Sequence, residues 1–204
     1  MARLEQFIHE EESGLPLLVR AGLVHVQFET IHPFLDGNGR LGRLLIALML
    51  HAGGLLAEPL LYLSLYFKEH RRLYYDLLDQ VRFKGDWEAW IDFFLEGVEQ
   101  TAKRAVDTVR RLNGLFARDE QRIQALGGRR VANILRVHTA LKRRPLTTLR
   151  ALCREQGMTF PTASGAMKAL MDLGIAQELT GNRRNRVFVY RESLNLLNEG
   201  GEPL

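Results

Sequence analysis

Apolar residues recur at helical spacing along most of the chain. Leu18, Ala21, Gly22, His25 and Phe28 predict a helix within residues 15–31. It ends at His32-Pro33, because proline disfavours helical geometry at the residue before it. Leu41, Leu44, Leu45, Leu48 and Met49 predict a second helix from near Arg40 to Gly53-Gly54. Ile46, Ala47 and Leu50 make that helix apolar on most other faces, so it is expected to be central and buried. A third helix is predicted from Ser64 to Arg82. A fourth starts after Asp86, the expected N-cap, and runs through Trp87, Trp90, Phe93, Phe94 and Val98. The charged stretch Lys103 to Arg122 continues it as a connecting helix, and Gly127-Gly128 marks the break.

Beyond the break the pattern changes. Val131 to Leu141 reads as one helix, followed by Pro145. Leu146, Leu149, Leu152 and Cys153 mark a short helix ending at Gly157. Thr159 and Pro161 start another, with Met167, Leu170 and Met171 inward, up to Gly174. Residues 175–179 and 187–190 flank a basic tip and predict a β-hairpin. Helix, short helix, turn, helix and hairpin follow in the order of a winged helix-turn-helix. The expected fold is therefore mainly α: a helical bundle over residues 1–116, then a connecting helix and a small winged helix domain over 117–204.

Composition narrows the setting. With 46% hydrophobic and 25% charged residues among 204, the chain reads as an ordinary globular protein. Its single cysteine, Cys153, has no internal partner for a disulfide, which predicts a cytoplasmic home. No apolar stretch has the length of a membrane span, so no membrane partner is expected. Charge is uneven. Residues 1–116 hold 13 Lys and Arg against 16 Asp and Glu, whereas residues 117–204 hold 15 against 8. The basic second half fits contact with a polyanion.

The chemistry concentrates in residues 32–43. Gly37 and Gly39 around Asn38 let backbone N–H groups approach an anion closely, and a helix is expected to begin directly afterward. Unpaired N–H groups and the positive end of the helix dipole together bind phosphate. Arg40 and Arg43, three apart, project from one face of the first turn and would clamp further phosphate oxygens. Asp36 is a hard oxygen ligand suited to Mg²⁺ bridging phosphates. His32, as neutral imidazole, would take a proton from an incoming hydroxyl. This combination predicts phosphoryl or nucleotidyl transfer. A calcium loop of the EF-hand type is excluded, since that pattern needs glycine where Leu41 stands. His25, on a face expected to be buried, is read as a core residue.

The segment His32-Pro33-Phe34-Leu35-Asp36-Gly37-Asn38-Gly39-Arg40-Leu41-Gly42-Arg43 resembles the signature of the Fic family, with every fixed position filled. Residues 23–31 before it resemble bacterial Fic proteins, as do those from Leu61-Tyr62-Leu63-Ser64 to Trp90-Ile91-Asp92-Phe93-Phe94 after it. The resemblance implies a protein adenylyltransferase. His32 would deprotonate a Ser, Thr or Tyr hydroxyl of a target protein, which attacks the α-phosphate of ATP. Asp36 would hold Mg²⁺, and Gly37, Asn38 and Gly39 would form the anion hole. Arg40 and Arg43 would neutralise the β- and γ-phosphates, with Leu41 and Gly42 completing the nucleotide-binding segment. Phe34 is expected to fix the loop to the core, and Tyr75 to sit near the nucleoside. Gly39, where other relatives carry lysine, favours adenylyl transfer.

Two features of the family are missing. The target-aligning β-hairpin flap would lie before residue 1, so the resemblance implies an N-terminally shortened chain. The inhibitory Ser/Thr-x-x-x-Glu-Gly/Asn motif is absent; Asn195 to Glu199-Gly200 has the spacing without the hydroxyl residue. For the basic domain the expected partner is double-stranded DNA. Thr162, Ser164 and Lys168 would face the major groove, and Arg183, Arg184 and Arg186 on the wing would meet phosphates. Winged helices also serve as dimerisation modules, so a homodimer is the other use. The competing functions are a nucleotide-sensing, DNA-binding regulator with a catalytically weak Fic portion, and a Fic-type phosphotransferase with another donor.

Overall fold

A computed structural model describes residues 1–10, 14–57, 62–182 and 184–199. The chain forms two compact units, Met1–Ala105 and Val106–Leu204. Among the described residues the structure is mostly helical, with one small antiparallel sheet. The expected boundary after residue 116 falls inside a single long helix that enters both units.

The first unit holds α1 (Ala2–His9), α2 (Leu17–Ile31), α3 (Asn38–Ala52), α4 (Leu63–Glu69), α5 (Arg71–Lys84) and the start of α6 (Trp87–Gln124). Helix α2 lies at its centre, burying Ala21, Gly22, Val24, His25, Val26, Phe28 and Glu29. The Trp90 indole N–H donates to the Gly22 carbonyl at 2.9 Å, tying α6 to α2. A Cβ at Gly22 would stand 3.0 Å from the Phe94 ring, so glycine permits that close approach. Asp86 caps α6, its side chain accepting from the Ala89 N–H.

Two expectations about this unit are corrected. Helix α3 is not buried all round: Ile46, Ala47, Met49 and Leu50 face the core, whereas Leu41, Leu44 and Leu48 are 40%, 49% and 45% exposed. Apolar character on every face cannot say which face finds a partner. The helix expected from Ser64 to Arg82 is two, broken at His70, whose ring nitrogen Nδ1 bonds the Tyr66 carbonyl at 3.0 Å. The Tyr66 carbonyl accepts from both the His70 N–H and the His70 ring, and His70 leaves helical geometry at φ −108°, ψ 32°.

The second unit holds the rest of α6, then α7 (Val131–Arg143), β1 (Leu146–Thr148), α8 (Leu149–Gln156), α9 (Phe160–Asp172), β2 (Gln177–Glu178), β3 (Val187–Val189) and α10 (Arg191–Asn198). Strand β3 pairs antiparallel with both β1 and β2, in the order β1-β3-β2. Strand β1 falls on residues read as helical from their leucine spacing; three residues are too few to show a period of two. Thr148 and Thr159 cap α8 and α9, accepting from the N–H groups of Ala151 and Thr162.

Within this core lies a buried polar group. Asp119, 1% exposed, accepts from Tyr190 Oη at 2.7 Å, Arg122 at 3.0 Å and Arg118 at 3.1 Å. Burial pushes its pKa up, and the three hydrogen bonds together bring it below the usual carboxylate range. His138 is buried beside Tyr190.

Candidate functional site

Helix α2 stops at His32, whose N–H donates to the Phe28 carbonyl while its backbone adopts φ 50°, ψ 58°. Left-handed geometry at a residue with a Cβ costs on the order of 1 kcal/mol, and such strain gathers at functional positions. It turns the chain sharply off the helix and leaves the imidazole exposed. The end of α2 is held by Arg82, which donates to the Glu29 carbonyl at 3.0 Å, Thr30 Oγ1 at 3.3 Å and Asp79 at 3.1 Å.

The loop is stabilised by Asn38. This side chain, 2% exposed, accepts from the Phe34 N–H at 2.9 Å and donates to the Phe34 carbonyl at 2.6 Å. Phe34, expected to fix the loop through its ring, is half exposed and touches Phe28 at a centroid distance of 6.5 Å. The fixing is therefore done mainly by hydrogen bonds to its backbone. Gly37 follows at φ 81°, a conformation that favours glycine, and α3 begins at Asn38. No side chain caps α3. Its first N–H groups remain available to an anion, with the helix dipole behind them.

Asp36 is exposed. Its Oδ1 accepts from the Gly37 N–H at 2.6 Å, and its Oδ2 lies 3.7 Å from Arg40. Leu41 is exposed and Gly42 buried against α2. Tyr75 is 53% exposed on α5, edge-on to Tyr74 and beneath the Arg71 guanidinium. Tyr74 itself is buried, its hydroxyl 2.9 Å from His25 Nε2, and burial raises its pKa. His25 is wholly buried, stacked on Trp90 and Phe67. Burial, with help from Arg43 and against the Gly42 carbonyl, lowers its pKa to about 4. It is a neutral core residue, as the sequence suggested.

Glu29 was missed by sequence reasoning. It is 7% exposed, and burial pushes its pKa up against the pull of Arg43, His32 and Arg82. Its place one helical turn after His25, on the face meeting Gly39 and Gly42, is the signal that would have found it.

In the second unit Arg150, Arg184, Arg186, Asn185, Phe160, Thr148 and Leu149 line one cavity of about 340 Å³. Phe160 is 56% exposed, and no ion pair engages the three arginines among the described residues. Arg150 and Phe160 were not anticipated; only the fold brings them beside Arg184, Asn185 and Arg186. Lys168 is exposed and Ser164 half-buried. Thr162, expected to face outward, is half-buried, its hydroxyl 2.8 Å from that of Thr159. Arg183 lies outside the described residues, as does Leu61. Glu199, in the segment with inhibitory-motif spacing, pairs with Arg111. No described helix is long and apolar enough to cross a membrane.

A mostly helical unit thus presents an uncapped helix N-terminus, two arginines, a carboxylate and a strained histidine in one twelve-residue segment. Comparison with known proteins agrees with that picture. Residues 1–50 match the Fic/DOC family. The chain is 38% identical over 102 residues to the protein adenylyltransferase Fic of Culex quinquefasciatus and 34% identical over the same length to that of Aedes aegypti. Each match covers 50% of this chain and 19% of the relative, so the chain spans about a fifth of their length. A crystal structure of a Fic family protein from Desulfovibrio desulfuricans G20 shares the fold, with a TM-score of 0.51 at 22% identity over 93% of this chain and 53% of that one.

Proposed function

We propose that the first unit is the nucleotide-binding and transfer core of a protein adenylyltransferase. The observation that carries this reading is the uncapped start of α3, reached through the Gly37 turn, with Arg40 on its first turn and Arg43 on its second. Triphosphate oxygens would accept from its free N–H groups, and the two guanidinium groups would offset the remaining charge. His32 Nε2 or Nδ1 would take the proton from a Ser, Thr or Tyr hydroxyl of a target protein. The hydroxyl oxygen then forms a bond to the α-phosphorus of ATP, and the bond to the leaving pyrophosphate breaks. Tyr75 would contact the nucleoside.

An exposed single carboxylate fits Mg²⁺, which is commonly held by one carboxylate, waters and substrate phosphates. Asp36 would hold the ion, whose charge neutralises phosphate oxygens; it would leave Arg40 to do so. We place the reaction in the cytoplasm, where ATP is supplied.

For the second unit we propose the winged helix arrangement and contact with double-stranded DNA. Arg150, Arg184 and Arg186, in no ion pair among the described residues, lie around the exposed Phe160 and support phosphate contact there, with Ser164 and Lys168 on α9 as base-edge candidates and Arg183 as a further wing cation. A homodimer is the competing use of this unit.

ATP labelled at the α-phosphate, with Mg²⁺ and a cell extract, tests the first proposal. Label transferred by the wild type and lost in His32→Ala supports it. Salt-sensitive DNA retention without labelling favours a nucleotide-sensing regulator instead. Transfer only from γ-labelled ATP or another donor favours a phosphotransferase.

A further inference from the structure

Helices α2 and α3 meet through a polar patch that the proposed chemistry leaves unused. His25 and Glu29, four residues apart, share one face of α2. They press against Gly39 and Gly42 of α3: a Cβ at Gly42 would stand 2.7 Å from Glu29 Oε1 and 3.1 Å from His25 Nδ1. Gly42 thus makes room for a carboxylate directly beneath the loop. That Glu29 Oε1 atom is buried and has no hydrogen-bond partner.

A buried carboxylate without a partner is costly, and under an anion-binding loop it would repel the ligand. A nearby cation would offset that cost and keep the carboxylate ionised. Arg82 is already spent on Asp79, Thr30 and the Glu29 carbonyl. His32 sits on the exposed outer turn. Arg43 remains. Among the described residues its guanidinium makes no ion pair or side-chain hydrogen bond, and Nη1 lies 3.1 Å from the position a Gly39 Cβ would take, where Glu29 Oε1 lies at 3.7 Å. The two groups face one another across a glycine.

We propose that Glu29 is a positioning residue that holds the Arg43 guanidinium at the edge of the loop, so that the site favours nucleoside triphosphate over nucleoside monophosphate. The inference rests on the reading of the loop as a nucleotide site. An arginine side chain with several rotamers binds an anion more weakly than one already oriented, because the ordering cost falls on the binding step. Glu29 lowers that cost by attraction through a low-dielectric interior. It touches no phosphate itself.

The test measures ATP and AMP affinities of the full chain by calorimetry, for wild type, Glu29→Gln, Arg43→Ala and the double variant. Glu29→Gln is expected to weaken ATP about tenfold and AMP less than twofold, as loss of pre-orientation predicts. In the Arg43→Ala background it is expected to add nothing. Equal weakening of ATP and AMP, or a loss that persists without Arg43, assigns Glu29 a merely structural role and overturns the proposal. Tighter ATP binding in Glu29→Gln also overturns it, since Glu29 would then compete with phosphate for Arg43. If Glu29→Gln melts well below the wild type, Glu29→Asp is used, and ATP binding unweakened relative to AMP refutes the proposal equally. A wild type that binds neither nucleotide sinks the reading of the loop, an outcome distinct from all of these.

Discussion

Acidification probes the packing of the first unit through one residue, His25. The ring is wholly buried between Trp90 and Phe67, and its pKa stands at about 4 against an ordinary 6.5. Above pH 6.5 both folded and unfolded chains carry it neutral, and its contribution to stability is complete. As pH falls, the unfolded chain takes up the proton first, so stability is lost from about 6.5 down to about 4. The fall in pKa corresponds to about 3 kcal/mol over that window, with a steepest slope of about 1.4 kcal/mol per pH unit. Glu29 acts with the opposite sign. Its raised pKa means the folded chain binds that proton first, so it gains stability as pH falls toward the ordinary carboxylate value. Comparing wild type with His25→Gln leaves the carboxyl in place in both chains. Urea unfolding at pH 7.5, 6.5, 5.5 and 4.5 would be followed by tryptophan fluorescence. Both tryptophans, Trp87 and Trp90, lie in the first unit, so the signal reports that unit alone. His25→Gln is expected to be less stable at pH 7.5 but to lose about 3 kcal/mol less on acidification. Parallel pH dependences in the two proteins would refute the account of a neutral, buried ring.

Glycine substitutions in α6 are expected to act in opposite directions. Gly97→Ala places a Cβ 2.6 Å from the Tyr66 ring, which Phe93 and His70 hold in place, and should cost about 1–3 kcal/mol by calorimetry. Gly114→Ala meets nothing within 4 Å and should stabilise by up to about 1 kcal/mol; a loss there would mean the helix is not as described. Asp119→Ala removes the acceptor shared by Tyr190, Arg118 and Arg122, and should destabilise the second unit by about 3 kcal/mol, seen as faster hydrogen exchange in α7 and α9. If the second unit grips DNA phosphates, Arg150→Ala should lower the slope of log affinity against log salt by about 1, and an unchanged slope would remove Arg150 from the contact.

Local chemistry made much of this protein legible from its sequence. Proline after His32, glycines at 37, 157 and 174, and the caps Asp86 and Thr159 act within a few residues of themselves, through backbone torsions and nearby N–H groups. The uncapped start of α3 could likewise be inferred from the residues at 36–43 alone. What depends on a distant partner could not. Leu41, Leu44 and Leu48 look as apolar as Ile46 and Leu50, yet only tertiary packing decides which of them meet the core. Asn38 fixes the loop where Phe34 was expected to, because a side-chain amide can satisfy two backbone groups at once when the turn brings them together. Strand β1 exists only because β3, some forty residues on, offers it a partner. Arg150 joins Arg184 and Arg186, and Glu29 comes to face Gly42 and Arg43, by the folding of separate elements onto each other. The sequence by itself determined most of the turns and helix ends, and which segment holds the glycines, arginines and carboxylate that suggest an anion site. The tertiary structure decided which faces are buried and which charges must answer one another, since burial and Coulomb attraction depend on distances that no local pattern contains.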